Sequence, residues 1–279
     1  MSFFYLQDEI FEIFFNFGKI VKGQRIMMPN FEEELKRLEP IIRKLCNFAL
    51  LGKKIEVKGR ENLMKEGPAI IVGNHIGSFK DVATLLKIVP RPIFFTANKM
   101  IFNKDEFSFL IRKHLQRHLK NFGLFLNLML NPFKSLFVHY ISLNLAKVGT
   151  IPVDLYRRKK EAIEHCQEYL RKGRAIITLQ GRGRVFDKDP HPYVKSFKRG
   201  TSIIAYNLYK KDGINLPITP LAIFGTQFPF LVPVTIKVNV GSPMYITDYL
   251  VDEVSETIEK FKNALEARVK SLFLESLKA

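Results

Sequence analysis

The apolar positions of this chain change their period several times, and each change marks an element. Over residues 1–22, Ile10, Ile13, Phe14 and Phe17 recur at helical spacing. Over residues 31–51, Phe31, Leu35, Leu38, Ile41, Ile42 and Leu45 do so again, with Gly23 and Pro29 breaking the pattern between the two stretches. These spacings predict an N-terminal helical pair over residues 1–52, either packed on the core or lying as an amphipathic hairpin in a lipid surface. Residues 54–58 predict a strand, and after a turn at Gly59 the uninterrupted apolar run 69–72 predicts a second one, buried on both faces. A helix follows over 82–89, stopped by Pro90, then a strand over 93–96, a helix over 161–171 and a strand over 175–179. Residues 202–211 read as a helix, 217–224 and 235–240 as strands, and 251–274 as a final amphipathic helix. Strands alternating with helices predict an α/β fold over residues 53–279.

Residues 104–141 interrupt that alternation and read as an insert. Phe107, Ile111, Leu115 and Leu119 form an apolar face against the basic Arg112, Lys113, Arg117 and Lys120, and the very apolar stretches 122–130 and 133–141 follow. A basic face beside an apolar one suits an anionic lipid surface. No apolar run reaches the length of about 18 residues that a spanning helix needs, so any contact with a membrane is expected to be peripheral.

Composition narrows this picture. With 47% hydrophobic and 25% charged residues in a chain of 279, a sizeable core is expected and disorder is excluded. Forty-four Lys and Arg against 27 Asp and Glu leave a formal charge of +17, which attracts nucleic acid, anionic headgroups or acidic carrier proteins alike. No RNA- or DNA-binding signature accompanies the charge, so no nucleic-acid partner is expected. With 25 Phe and no Trp, aromatic contact with an interface falls to phenylalanine. Cys46 and Cys166 match neither a metal nor a redox spacing, which points to a reducing compartment. Asp8, Glu9 and Glu12 interrupt the apolar N-terminal stretch, so no secretory signal is expected and the cytoplasmic face of a membrane is the expected location.

The chemistry gathers where the buried strand gives way to a helix, at Asn74, His75 and Asp81. Strand ends of α/β sheets collect active sites. An imidazole titrates near neutral pH and suits proton abstraction from an alcohol, while a carboxylate fixes its tautomer and steadies the imidazolium. Ser78 lies close to His75 but in no G-x-S-x-G elbow, which argues against a serine hydrolase. His114 and His118 have the spacing of metal ligands on a helix, yet they sit among Arg112, Lys113, Arg117 and Lys120, so a basic face and no metal site is expected there.

Four blocks in order extend the His75 motif along the chain. They are Asn74-His75 with Asp81 after five residues; Gly149-Thr-Ile-Pro-Val-Asp154 with Arg157 and Arg158; Thr178-Leu-Gln-Gly-Arg-Gly-Arg184 with the 197–200 segment Phe-Lys-Arg-Gly; and Leu216-Pro-Ile-Thr-Pro220 with the 238–243 segment. Over about residues 54–245 this resembles the glycerolipid acyltransferase family that includes the 1-acylglycerol-3-phosphate acyltransferases. The resemblance implies a mixed central β-sheet flanked by helices, and transfer of a fatty acyl group from acyl-CoA or acyl-carrier protein to a lysophospholipid hydroxyl without a cofactor. It implies His75 as the base and Asp81 as the group orienting it. It also implies binding of the acceptor's glycerol and phosphate around Lys99, Arg157, Arg158, Gln180, Gly181, Arg182 and Arg184, since guanidinium groups match phosphate oxygens.

The chain departs from the family pattern in three places. Five residues separate His75 from Asp81 where the family has four, and Gly77 is expected to absorb the extra one through its backbone freedom. Gln180 replaces a glutamate, and Arg182-Gly183-Arg184 replaces a threonine-arginine pair.

Overall fold

The computed structural model describes residues 31–113, 131–154, 159–182, 193–229 and 232–278. The first helix of the expected N-terminal pair, the apolar stretch 122–130, Arg157, Arg158 and Arg184 lie outside the described residues. Two compact units are built, Met1–Arg43 with Asn98–Thr150 and Lys44–Ala97 with Ile151–Ala279.

The second unit holds the sheet. Its elements are β1 (Lys53–Lys58), β2 (Ala69–His75), α2 (Phe79–Ile88), β3 (Ile93–Asn98), β4 (Ile151–Val153), α4 (Lys159–Arg171), β5 (Ala175–Arg182), α5 (Gly200–Asp212), β6 (Ile218–Phe224), β7 (Val234–Val240) and α6 (Val254–Lys278). Before them comes α1 (Phe31–Ala49), the second helix of the expected pair, and between β3 and β4 lies α3 (Asn131–Leu145) in the other unit. Residues 104–113 are helical as well. Among the described residues no helix is long and apolar enough to cross a membrane.

Seven strands are ordered β1-β7-β6-β2-β5-β3-β4, a mixed sheet flanked by helices as expected. β2 pairs parallel with both β5 and β6, β1 with β7 and β3 with β5, while β6 and β7 run antiparallel. The central position of β2 explains its composition: Ile70 and Val72 are fully buried and Ile71 nearly so, because helices or strands cover every side. α6 packs on β6, β7 and β2, α4 on β4 and β5, and α5 bridges the two helices. Ile176, Leu208, Ile218, Phe261 and Phe273 fill the space between the layers. This core carries β2 rigidly to the point where its last two residues turn polar.

Candidate active site

The ladder between β2 and β6 ends at Gly73 opposite Leu221. Asn74 then continues it with its side chain, an amide chemically equivalent to a peptide group. Its Nδ2 donates to the carbonyl of Ile223 at 2.9 Å and its Oδ1 accepts from the Ile223 N–H at 2.8 Å. Both bonds are buried, so the amide has no water to compete for it and the strand end is held firmly. On the other side β2 meets β5 with Asn74 opposite Gln180 and His75 opposite Arg182, leaving Gly181 as an extra residue in the ladder. A bulge of this kind bends the strand and re-aims the side chains beyond it.

Beyond His75 the chain reverses into α2. The N–H of Lys80 donates to the Gly77 carbonyl at 3.1 Å and that of Asp81 to the Ser78 carbonyl at 3.2 Å. Ser78 has φ 53° and ψ −120°, the only non-glycine residue with positive φ among the described residues. These angles belong to the first central position of a type II′ turn, which favours glycine. The expectation that Gly77 supplies the unusual backbone angle is therefore corrected: the following residue adopts it, at a cost of about 1–3 kcal/mol. Glycine is needed at 77 for space, since an added Cβ would lie 2.2 Å from the Cβ of Thr226 and 2.7 Å from its carbonyl oxygen.

The turn delivers Asp81 to the first turn of α2, where the helix dipole favours a carboxylate. Asp81 is fully buried. Its Oδ2 accepts from the Gly77 N–H at 2.8 Å and from Nδ1 of His75 at 2.8 Å, and its Oδ1 accepts from the Thr226 hydroxyl. A carboxylate oxygen at Nδ1 selects, for a neutral imidazole, the tautomer with its N–H on Nδ1 and the lone pair on Nε2. The His75 side chain is 22% exposed, so a substrate can reach it. Asp81 thus both closes the turn and orients the ring. A half-open imidazole backed by a buried carboxylate is an arrangement that can take up a proton from a hydroxyl.

The expected substrate-binding residues are placed differently. Gln180 faces the protein: its Nε2 donates to Thr201 Oγ1 at 3.4 Å, and its Oε1 accepts from the Lys198 N–H at 3.1 Å. Thr201 is itself bonded to Thr178 at 3.2 Å. Gln180 therefore ties β5 to the segment leading into α5. Gly181 and Arg182 continue β5, and the Arg182 side chain lies outside the described residues, with Arg157, Arg158 and Arg184. Lys99 is exposed and belongs to the other compact unit. In the 197–200 segment the Phe197 N–H donates to Glu266 Oε2 at 2.7 Å and Arg199 pairs with Glu259 at 2.6 Å.

The structure adds a contributor that reasoning from sequence passed over. Thr226, just past the end of β6, is 145 positions from Asp81 and bears no local mark beyond following a glycine at a strand end. Its loop is fastened from below, since Lys80 Nζ donates to the Phe228 carbonyl, and Lys53 Nζ donates to the carbonyls of Pro229 at 3.2 Å and Val232 at 3.0 Å. Burial, and then the neighbouring charge of Lys53, lower the Lys80 ammonium pKa below its ordinary range, while Asp81 opposes them.

A family model matches one part of the chain. The model of the family described as Acyltransferase matches residues 54–121, a stretch that contains the His75–Asp81 pair. No curated protein matches the chain. Among solved structures, it is similar to the crystal structure of the 1-acyl-sn-glycerophosphate (LPA) acyltransferase, PlsC, from Thermotoga maritima, at 19% identity with a TM-score of 0.48, over 96% of this chain and 89% of that one.

Proposed function

We propose, starting from a chain whose residues 54–121 match the acyltransferase family, that it transfers a fatty acyl group from acyl-CoA or acyl-carrier protein to the hydroxyl of a lysophospholipid, with 1-acyl-glycerol-3-phosphate as the acceptor and phosphatidic acid as the product. The observation that carries this reading is the 2.8 Å contact between His75 Nδ1 and the buried Asp81 carboxylate, which leaves Nε2 as the basic atom of a partly open ring.

In this reading Nε2 takes the proton of the acceptor hydroxyl as its oxygen attacks the thioester carbonyl carbon. A C–O bond forms, and the carbonyl π electrons move onto oxygen. As that tetrahedral intermediate collapses the C–S bond breaks, and the thiolate receives the proton from the imidazolium, which restores the base. Asp81 stays an acceptor throughout and steadies the transient positive charge on the ring. No acyl-enzyme is formed.

Lys99, Arg157, Arg158, Arg182 and Arg184 are proposed to neutralise the acceptor's phosphate, beside the Gly181 backbone, with Gln180 holding their strand against the 197–200 segment. The formal charge of +17 supports an anionic donor and an anionic bilayer as partners. Docking through the N-terminal helices and residues 104–141, on the cytoplasmic face, completes the proposal. Sedimentation with anionic vesicles should fall when residues 104–141 are deleted; unchanged sedimentation removes the insert from it.

The deciding experiment mixes the protein with lysophosphatidate and an acyl thioester and follows thiol release. Turnover that disappears in His75→Ala is the expected result. Specific lipid binding without turnover would mark a non-catalytic relative, and a His75→Ala protein as active as wild type would end the assignment. A panel of lysophospholipid acceptors and donors read by mass spectrometry assigns the substrates.

A further inference from the structure

Asp81 has one carboxylate oxygen whose fate is decided far away in the sequence. Oδ2 is shared by the Gly77 N–H and His75, both within its own turn. Oδ1 points away from that turn, and Thr226, itself fully buried, donates its hydroxyl to it. In a fully buried carboxylate an oxygen without a donor is costly, and the group escapes that cost by turning, by taking up a proton or by admitting water. Each escape removes or redirects the acceptor that holds Nδ1 of His75.

The same threonine also meets the other side of the turn. A Cβ at Gly77 would lie 2.2 Å from the Thr226 Cβ and 2.4 Å from its Oγ1, so the Gly77 backbone rests directly on this side chain. Gly77 in turn donates to Asp81 Oδ2. Thr226 therefore touches the carboxylate directly at one oxygen and supports the donor to the other. Its own position is set by a loop whose carbonyls bind Lys53 and Lys80 and whose Gly225 N–H donates to Gln227 Oε1 at 2.8 Å.

We propose that Thr226 is a positioning residue for the His75–Asp81 pair: its hydroxyl occupies Asp81 Oδ1, so that Oδ2 stays aimed at Nδ1 and the imidazole is held with Nε2 as the base. As an account of catalysis this rests on the acyl-transfer reading; as an account of the pair's geometry it does not.

The test compares wild type, Thr226→Val and Thr226→Ser in two readouts. One is the Nδ1–H proton resonance of His75, identified by its absence in His75→Ala, together with its exchange rate with water. The other is thiol release across pH. Thr226→Ser keeps the hydroxyl and should keep both. Thr226→Val should speed exchange of the Nδ1–H and lower kcat by roughly tenfold to a hundredfold, the scale of a hydrogen bond to a charged group, with KM changed by less than about twofold. Its pH–rate profile should also be displaced from that of wild type. A valine variant with wild-type resonance and turnover overturns the proposal. So does one that loses turnover while the resonance and the shape of the profile stay unchanged, because that outcome marks support of the fold alone. Should the valine protein fail to fold, Thr226→Ala removes the same hydroxyl without adding a methyl group and is judged by the same two outcomes. A wild-type protein whose Nδ1–H depends on Thr226 but which transfers no acyl group leaves the positioning role standing and removes the acyl-transfer reading.

Discussion

β2 and β5 run side by side and end level with each other, Asn74 opposite Gln180 and His75 opposite Arg182, yet their closing polar residues are used in opposite ways. At the end of β2 the partner of His75, Asp81, is fully buried, while the imidazole itself is partly exposed. At the end of β5 both halves of the Gln180 amide are taken up by Thr201 and by the Lys198 backbone. The contrast teaches that polarity at a strand end does not by itself make a site. What matters is whether the network satisfies every atom or leaves one over, and the neutral amide at 180 belongs to the first kind.

The largest effect that sharpens this contrast is expected from His75→Ala, which should reduce thiol release by roughly 10²–10⁴-fold, the range of a general base. Asp81→Asn should come next, at roughly a hundredfold, because the amide can donate to Nδ1 and turn the tautomer around. Gly77→Ala should destabilise the fold by about 1–3 kcal/mol in urea titration, since the methyl group has to displace Thr226. Gln180→Ala should cost about 0.5–1.5 kcal/mol, the net worth of an ordinary hydrogen bond, since water can replace the acceptor of the exposed Lys198 N–H, while turnover changes by less than about threefold. A loss of turnover as large as that of His75→Ala would break the comparison and make the end of β5 a second catalytic region. Ser78→Gly should be the mildest, raising stability by roughly 0.5–1 kcal/mol as strain relief outweighs the added freedom of the unfolded chain, with activity retained.

A control checks that the framework beneath both strand ends stays closed. Burial pushes the Cys166 thiol up to about 12, and burial, opposed by the charge of Lys87, takes Cys46 to about 11. Only the thiolate reacts, so between pH 7 and 9 the folded protein should consume almost no thiol reagent, and reactivity should rise with urea as the unfolded chain ionises at lower pH. The same property keeps the protein's own thiols from interfering with a thiol-release assay.

Much of the fold is legible in the pattern of side chains. The strand expected over 54–58 forms as Lys53–Lys58, the helix over 161–171 as Lys159–Arg171, and the final helix over 251–274 as Val254–Lys278. Period is a local property, and these elements are long enough to display it. β4 escaped because Ile151–Val153 offers only three residues, too few for any period, and is a strand only by its place in the sheet. The His75 and Asp81 pair was legible as two residue types at one strand-to-helix junction. The turn between them was assigned to the wrong residue, because glycine's freedom and glycine's small size leave the same letter in a sequence, and only the position of Thr226 tells them apart.

The sequence by itself determined the alternation of strands and helices, the buried run that became β2, the excess of positive charge and the placing of His75 and Asp81 at one strand-to-helix junction, all of them set by neighbours a few residues apart. The tertiary structure alone decided that Asn74 completes a ladder with Ile223, that Gln180 is spent on the Thr201 hydroxyl and the Lys198 N–H, and that Thr226 meets Asp81 across 145 positions. The physical reason is one of range. Periodicity and turn chemistry act along the chain, whereas the satisfaction of a buried polar atom depends on whatever the fold brings to it.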